Sequence, residues 1–167
     1  MGLRTAGNGS RPKRKPKPVK LPKLVNQLNR FATIEHMLAQ LETGELTEVN
    51  GTLTYYDFEE GGHFALVPAL GGWIIYVANV LQASQSSRVW AENFDPAEHV
   101  EAHKALFHAL ENDILIEQNL IEQVKAEVIL HKQAYLTLSI AQARDVAIKT
   151  RIQIQQQNIE RIEHGIG

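Results

Sequence analysis

Apolar residues recur at helical spacing through Leu24, Leu28, Phe31, Ile34, Met37, Leu38 and Leu41, and the stripe stops at Gly44. That period predicts a first amphipathic helix over residues 24–43, ended by the glycine. The period then shortens. Leu46, Val49, Leu53, Tyr55 and Tyr56 surround Asn50-Gly51, the strongest short hairpin signal, and a second turn at Glu59-Glu60-Gly61-Gly62 precedes His63 to Val67. A three-stranded meander over residues 45–67 is the expectation. From Phe64 to Ala83 the chain carries no charge, a run long enough on paper to span a bilayer. Pro68, Gly71-Gly72 and Asn79 cut this run, so it reads as a short strand followed by a buried helix over residues 72–84, with no membrane contact expected.

A polar linker from Gln82 to Trp90 leads to Asp95-Pro96-Ala97-Glu98, which sets a capping side chain, a first-turn proline and a glutamate three positions after the cap. Between Ala97 and His164 there is neither glycine nor proline. Apolar side chains recur every seven residues at Val100, Phe107, Ile114, Ile121, Val128 and Tyr135, with Leu110, Val124 and Leu138 at half of the alternate positions. This is a seam suited to another helix, interrupted by His103, Glu117 and His131. Past Leu138 the apolar set shifts to Ile148, Ile152, Ile159, Ile162 and Ile166, and Ser139 with Gln142 forms a second capping box. Two helices, 96–136 and 140–164, folded back as a hairpin are therefore preferred to one continuous helix of about 100 Å. The fold class expected is mainly α: a single domain over residues 24–167, a helical hairpin or bundle with a small β-meander insertion and a flexible basic arm over residues 1–23.

Charge sharpens that division. Residues 1–23 hold Arg4, Arg11, Lys13, Arg14, Lys15, Lys17, Lys20 and Lys23 and no acid, although the whole chain has a net charge of −2. This leaves nine of the 17 basic residues against all 19 acidic ones over residues 24–167, a balance of −10. The arm alternates proline with cations around Pro12, Pro16 and Pro18, which favours an extended polyproline II rod. Such a rod can neutralise phosphates and gain from counterion release. Arg11, Lys13, Arg14, Lys15, Lys17, Lys20 and Lys23 are thus the candidate contacts to nucleic acid or to an acidic protein surface. The competing reading is a solubilising tail, or one folded onto its own acidic body.

Chemistry-bearing motifs are few. The absence of cysteine excludes disulfides, thiolate metal sites and a cysteine nucleophile. No phosphate-binding glycine loop, nucleophile elbow or dinucleotide fingerprint occurs. His99 and His103 lie four residues apart on one predicted helical face, and a metal there would need a third ligand from His131 or Glu127 across the hairpin; a structural or solvated role is the expectation. Asp57, Glu59, Glu60 and His63 flank a turn and read as a solvated loop. Trp73, Ile74, Tyr76, Val77 and Leu81 read as core rather than as a pocket. No catalytic residue, metal or cofactor is expected. With no apolar stretch near its start, the chain carries no evident secretory leader, and the cytoplasm is the expected location.

The stretch Arg11-Pro12-Lys13-Arg14-Lys15-Pro16-Lys17-Pro18-Val19 resembles the opening of small proteins encoded by tailed bacteriophages and prophages. Their layout is similar: a basic Pro-rich head, a first helix, a Gly-containing connection and a helical remainder, with Ala69–Leu81 and Ala147–Glu163 fitting that plan and the insertion at 45–67 departing from it. The resemblance implies an accessory protein of the infected cytoplasm or of the virion. The expected function is a non-enzymatic interaction protein, oligomerising through the helical seam (Val100, Phe107, Leu110, Ile114, Ile121, Val124, Val128, Tyr135) and the terminal stripe at Ile152, Ile159 and Ile166. A structural head or neck component and a ligand-sequestering inhibitor of host defence are the alternatives.

Overall fold

A computed structural model describes residues 30–85, 90 and 94–163, the last three without their side chains. Along the chain come α1 (Phe31–Thr43), β1 (Thr47–Val49), β2 (Thr52–Asp57), β3 (Gly62–Ala65), α2 (Leu66–Ala83), a 3-10 turn (Pro96–His99), α3 (Glu101–Glu111), α4 (Gln118–Leu136) and α5 (Ile140–Glu163). The protein is mainly helical, with one antiparallel sheet in the order β1-β2-β3. The basic arm and the expected start of the first helix, Leu24 to Asn29, lie outside the described residues.

Local chemistry explains the first half. α1 stops at Gly44, and the Glu45 amide closes its end on the Gln40 carbonyl at 2.9 Å. The β1–β2 hairpin pairs Val49 with Thr52 across a two-residue loop in which Asn50 has φ 52 and Gly51 φ 81. Positive φ at both central residues gives the turn whose twist matches paired strands, which is why Asn-Gly occupies it. At the β2–β3 turn the Asp57 carboxylate accepts from the Glu59 and Glu60 amides. Buried Asp57 thus organises this turn, while Glu59, Glu60 and His63 are exposed. The buried Gln40 side chain holds the sheet to α1, donating to the Tyr56 carbonyl at 2.7 Å and accepting from its amide at 2.8 Å. It completes a pair of backbone groups that no neighbouring strand serves.

α2 corrects the expected strand to Val67 and helix 72–84: the strand ends at Ala65 and the helix begins at Leu66. Pro68 falls within its first turn, where the missing N–H has no intrahelical partner to lose. Gly71 and Gly72 do not break the helix because they are contact points. A Cβ on Gly71 would lie 3.1 Å from the Phe107 ring, and one on Gly72 would lie 3.3 Å from Ile154 Cδ1. Two neighbouring helices therefore approach the α2 backbone closely. α2 is long and apolar enough to cross a membrane by length and composition, and half of it is buried among the other elements of this fold. Its Trp73, Tyr76, Val77, Val80 and Leu81 form the centre of the core, with Phe31 edge-on to Trp73 at 5.1 Å and to Tyr135 at 6.0 Å.

The expected helix 96–136 is two helices, not one. α3 ends at Asn112, whose side chain donates to the His108 carbonyl at 2.8 Å, and Asp113 adopts φ 54. Asn and Asp tolerate this left-handed region better than other side-chain-bearing residues. Residues 114–117 then reverse the chain, so α3 and α4 pack against each other. The break at residues 137–139 stands as the sequence predicts, but α5 does not fold back on the helix before it as the expected hairpin: it packs on α2. Ser139 Oγ accepts from the Gln142 amide at 3.1 Å and Gln142 Oε1 accepts from the Ser139 amide at 2.9 Å.

This reversal consumes the seam. Val100, Ile121, Val124, Val128 and Tyr135 are buried within the protein's own body, Phe107 and Leu110 are half-buried, and Ile114 is exposed in the loop after α3. The heptad pattern records packing of α3 and α4 against each other, α1 and α2. It does not leave an open coiled-coil edge.

Candidate functional site

Three places answer to the functional residues read from the sequence. The basic residues from Arg11 to Lys23 lie outside the described residues. The aromatic group around Trp73 is core: Trp73, Tyr76, Val77 and Leu81 are buried and Ile74 is half-buried. The histidines give a compact polar cluster. Its ligand-bearing members are His103, Glu127 and His131, each offering one potential donor atom within 4.8 Å of the others.

The cluster forms between α3 and α4, at the end of the helix pair away from the reversal. Glu127 and His131 stand four residues apart on one face of α4, and His103 lies in the first turn of α3. The first turn of a helix leaves amides without partners. Val100, at the N-cap position of α3, has no side chain able to accept from them. Glu127 supplies the missing acceptor from α4. Its Oε2 accepts from the Ala102 amide at 3.0 Å, and its Oε1 accepts from the His103 amide at 3.0 Å and from His103 Nδ1 at 2.7 Å. The carboxylate also lies at the positive end of the helix dipole.

The electrostatics follow from these bonds. Burial by itself would push the Glu127 carboxyl up, but the hydrogen bonds from the His103 ring and the two amides outweigh it and hold the group below its ordinary value. His131 Nε2 donates to the His99 carbonyl at 2.7 Å. Burial, reinforced by neighbouring His103, brings His131 down to about 4, so the ring is neutral near pH 7. Because a carboxylate and a carbonyl only accept, His103 carries a proton on Nδ1 and His131 carries one on Nε2. The opposite nitrogens, His103 Nε2 and His131 Nδ1, are buried and have no hydrogen-bond partner. The two rings lie 4.9 Å apart between centroids, tilted by 49°.

The sequence had put forward His99 with His103, and His131 or Glu127 as a third member. The structure brings His103, Glu127 and His131 together and uses His99 through its carbonyl, its ring stacking on Phe94 at 4.9 Å. The i, i+4 spacing of Glu127 and His131 was the local signal for their pairing. Which helix they face depends on the reversal at residues 112–117.

The other site-like surface is α5. One side packs on α2 through buried Ala143, Val146 and Thr150, with Asn79 donating to Thr150 Oγ1 at 3.0 Å and to Gln153 Oε1 at 2.8 Å. At 100° per residue, Ile148, Ile152 and Ile159 fall on the opposite side. They are 44%, 49% and 54% exposed, so α5 is apolar on two faces, of which the described residues cover only one.

No protein-family model, curated protein or solved structure matches this chain.

Proposed function

We propose that this chain is a non-enzymatic interaction protein whose folded body self-associates through the outer face of α5 and presents its basic arm in more than one copy. The observation that carries this reading is the uncovered row Ile148, Ile152 and Ile159. Its steps of four and seven residues are those of a helix-pairing stripe. The partner we assign to it is α5 of a second copy, which carries the same stripe and can bury it symmetrically. Of the two apolar edges expected from the sequence to hold an oligomer, the seam of α3 and α4 is buried in one subunit, which leaves the terminal stripe of α5, whose Ile166 lies outside the described residues.

The arm supplies the contact to other molecules. Its eight cations with no acid suit the phosphates of nucleic acid, and pairing arms in an oligomer multiplies the local charge. Affinity of this kind carries no base specificity. It also fits an accessory or virion-associated protein of the phage type suggested by the arm.

Substituting Ile148, Ile152 and Ile159 together by glutamate is expected to leave the helical circular dichroism unchanged and to give a monomer by light scattering. Deleting residues 1–23 is expected to remove salt-dependent binding to duplex DNA without changing the oligomer. A glutamate variant with unchanged mass would remove α5 as the interface, and full DNA binding without the arm would remove the arm as the contact.

A further inference from the structure

The cluster between α3 and α4 points to a function separate from self-association. We infer that His103 Nε2 and His131 Nδ1 form a binding site for one late transition-metal ion of the zinc class, with Glu127 and the His99 carbonyl as its outer supports.

Four features of the geometry converge on it. Both rings are 0% exposed, and each has one nitrogen fixed by a short hydrogen bond and one buried nitrogen with no partner. The fixed nitrogens are donors, so in the neutral rings each partnerless nitrogen presents a lone pair. A buried polar atom without a partner is costly, and two on rings 4.9 Å apart are a cost that an electron-pair acceptor would relieve. Hydrogen bonding of the far nitrogen to a carboxylate or to a carbonyl is the arrangement that orients imidazole toward a metal and raises its basicity. The cluster contains both versions. The ring separation also fits. Two imidazoles at nitrogen–zinc distances of about 2.0–2.1 Å and a tetrahedral angle have centres roughly 5 Å apart, and these rings are 4.9 Å apart.

The chemistry selects the ion. Neutral imidazoles suit zinc, copper and nickel, whereas magnesium and calcium require oxygen ligands. Both oxygens of Glu127 are already engaged by the Ala102 and His103 amides and the His103 ring. The carboxylate therefore serves as a neighbouring negative charge and an orienting group, and the two ring nitrogens are the ligands the cluster supplies. An ion held this way joins the start of α3 to the C-terminal half of α4, at the end of the helix pair away from the reversal.

The test uses the full chain, stripped with a chelator and titrated with zinc ion alone. Native mass spectrometry is expected to show one zinc per chain, with a raised unfolding temperature and no response to magnesium. Cobalt in place of zinc is expected to give the visible absorption of a low-coordinate nitrogen-ligated site. Exposed His63 and His108, replaced together by glutamine, are expected to retain the equivalent. Glu127→Gln is expected to keep the stoichiometry with affinity reduced about 10–100-fold. His103→Gln and His131→Gln, if folded, are expected to lose it. The inference is overturned if the wild-type chain takes up no zinc, as it would if the two nitrogens merely share a water molecule. It is equally overturned if the zinc is lost from the His63/His108 variant, or kept by a folded His103 or His131 variant. Because the wild-type titration and the cobalt spectrum need no substitution in the cluster, an unfolded variant does not remove the test.

Discussion

Replacing Glu127 by alanine is expected to lower the free energy of unfolding by about 3 kcal/mol, more than most single changes outside the apolar core. The carboxylate is a helix cap delivered from another helix, accepting from the Ala102 and His103 amides and from the His103 ring. Removing it strands two first-turn amides of α3 and leaves a buried ring nitrogen without its acceptor. Each loss carries a desolvation cost, and hydrogen bonds to a charged group are among the stronger ones. Glu127→Gln keeps one acceptor oxygen but sets an amide group against donors, so its loss is expected to be intermediate. Urea unfolding followed by circular dichroism checks both variants. A Glu127→Ala protein within about 1 kcal/mol of wild type would show that α3 does not depend on this cap.

Acid is expected to destabilise the fold well above the range in which carboxylates titrate. The His131 ring titrates near 6.5 in the unfolded chain and at about 4 in the folded one. In that window the unfolded state binds a proton and the folded state does not, so stability rises with pH. The contribution of neutral His131 is complete above the unfolded value and is lost as pH falls toward the folded one. With about 1.36 kcal/mol per unit, stability should drop by about 2 kcal/mol between about pH 6.5 and pH 5. Glu127 works the same way at lower pH, because its carboxyl lies below its ordinary value and its contribution is lost only as that group protonates. Urea titrations in chelator-containing buffer at a series of pH values measure the slope. A flat profile from pH 7 to pH 5 would mean that His131 is protonated in the folded protein or reaches water.

What could be read from the chain and what could not divide along physical lines. Asn50-Gly51, Gly44 and the Ser139/Gln142 box act over three or four residues, so the turn, the helix end and the cap were all legible. The start of α2 at Leu66 was not, because Gly71 and Gly72 look like helix breakers until Phe107 and Ile154 are seen resting on them. The break after α3 was missed for the opposite reason. Asn112-Asp113 is a weak stop beside the every-seven apolar series from Val100 to Tyr135, and that series continues across it because both helices line one core. Once the chain reverses there, residues spaced as an oligomer seam become interior contacts. The same reversal turns His103, Glu127 and His131 from separate candidates into one cluster. The uncovered isoleucines of α5 were visible in the phase shift after Leu138. That α5 has two apolar faces required knowing which one α2 occupies.

Sedimentation velocity of the unmodified chain over a wide concentration range tests the proposed association most directly. A species of at least two chains that dissociates on dilution, and is weakened by a single charge at Ile152, is the predicted result. A monomer at every concentration would contradict it, leaving α5 with an outer apolar face that no second copy covers.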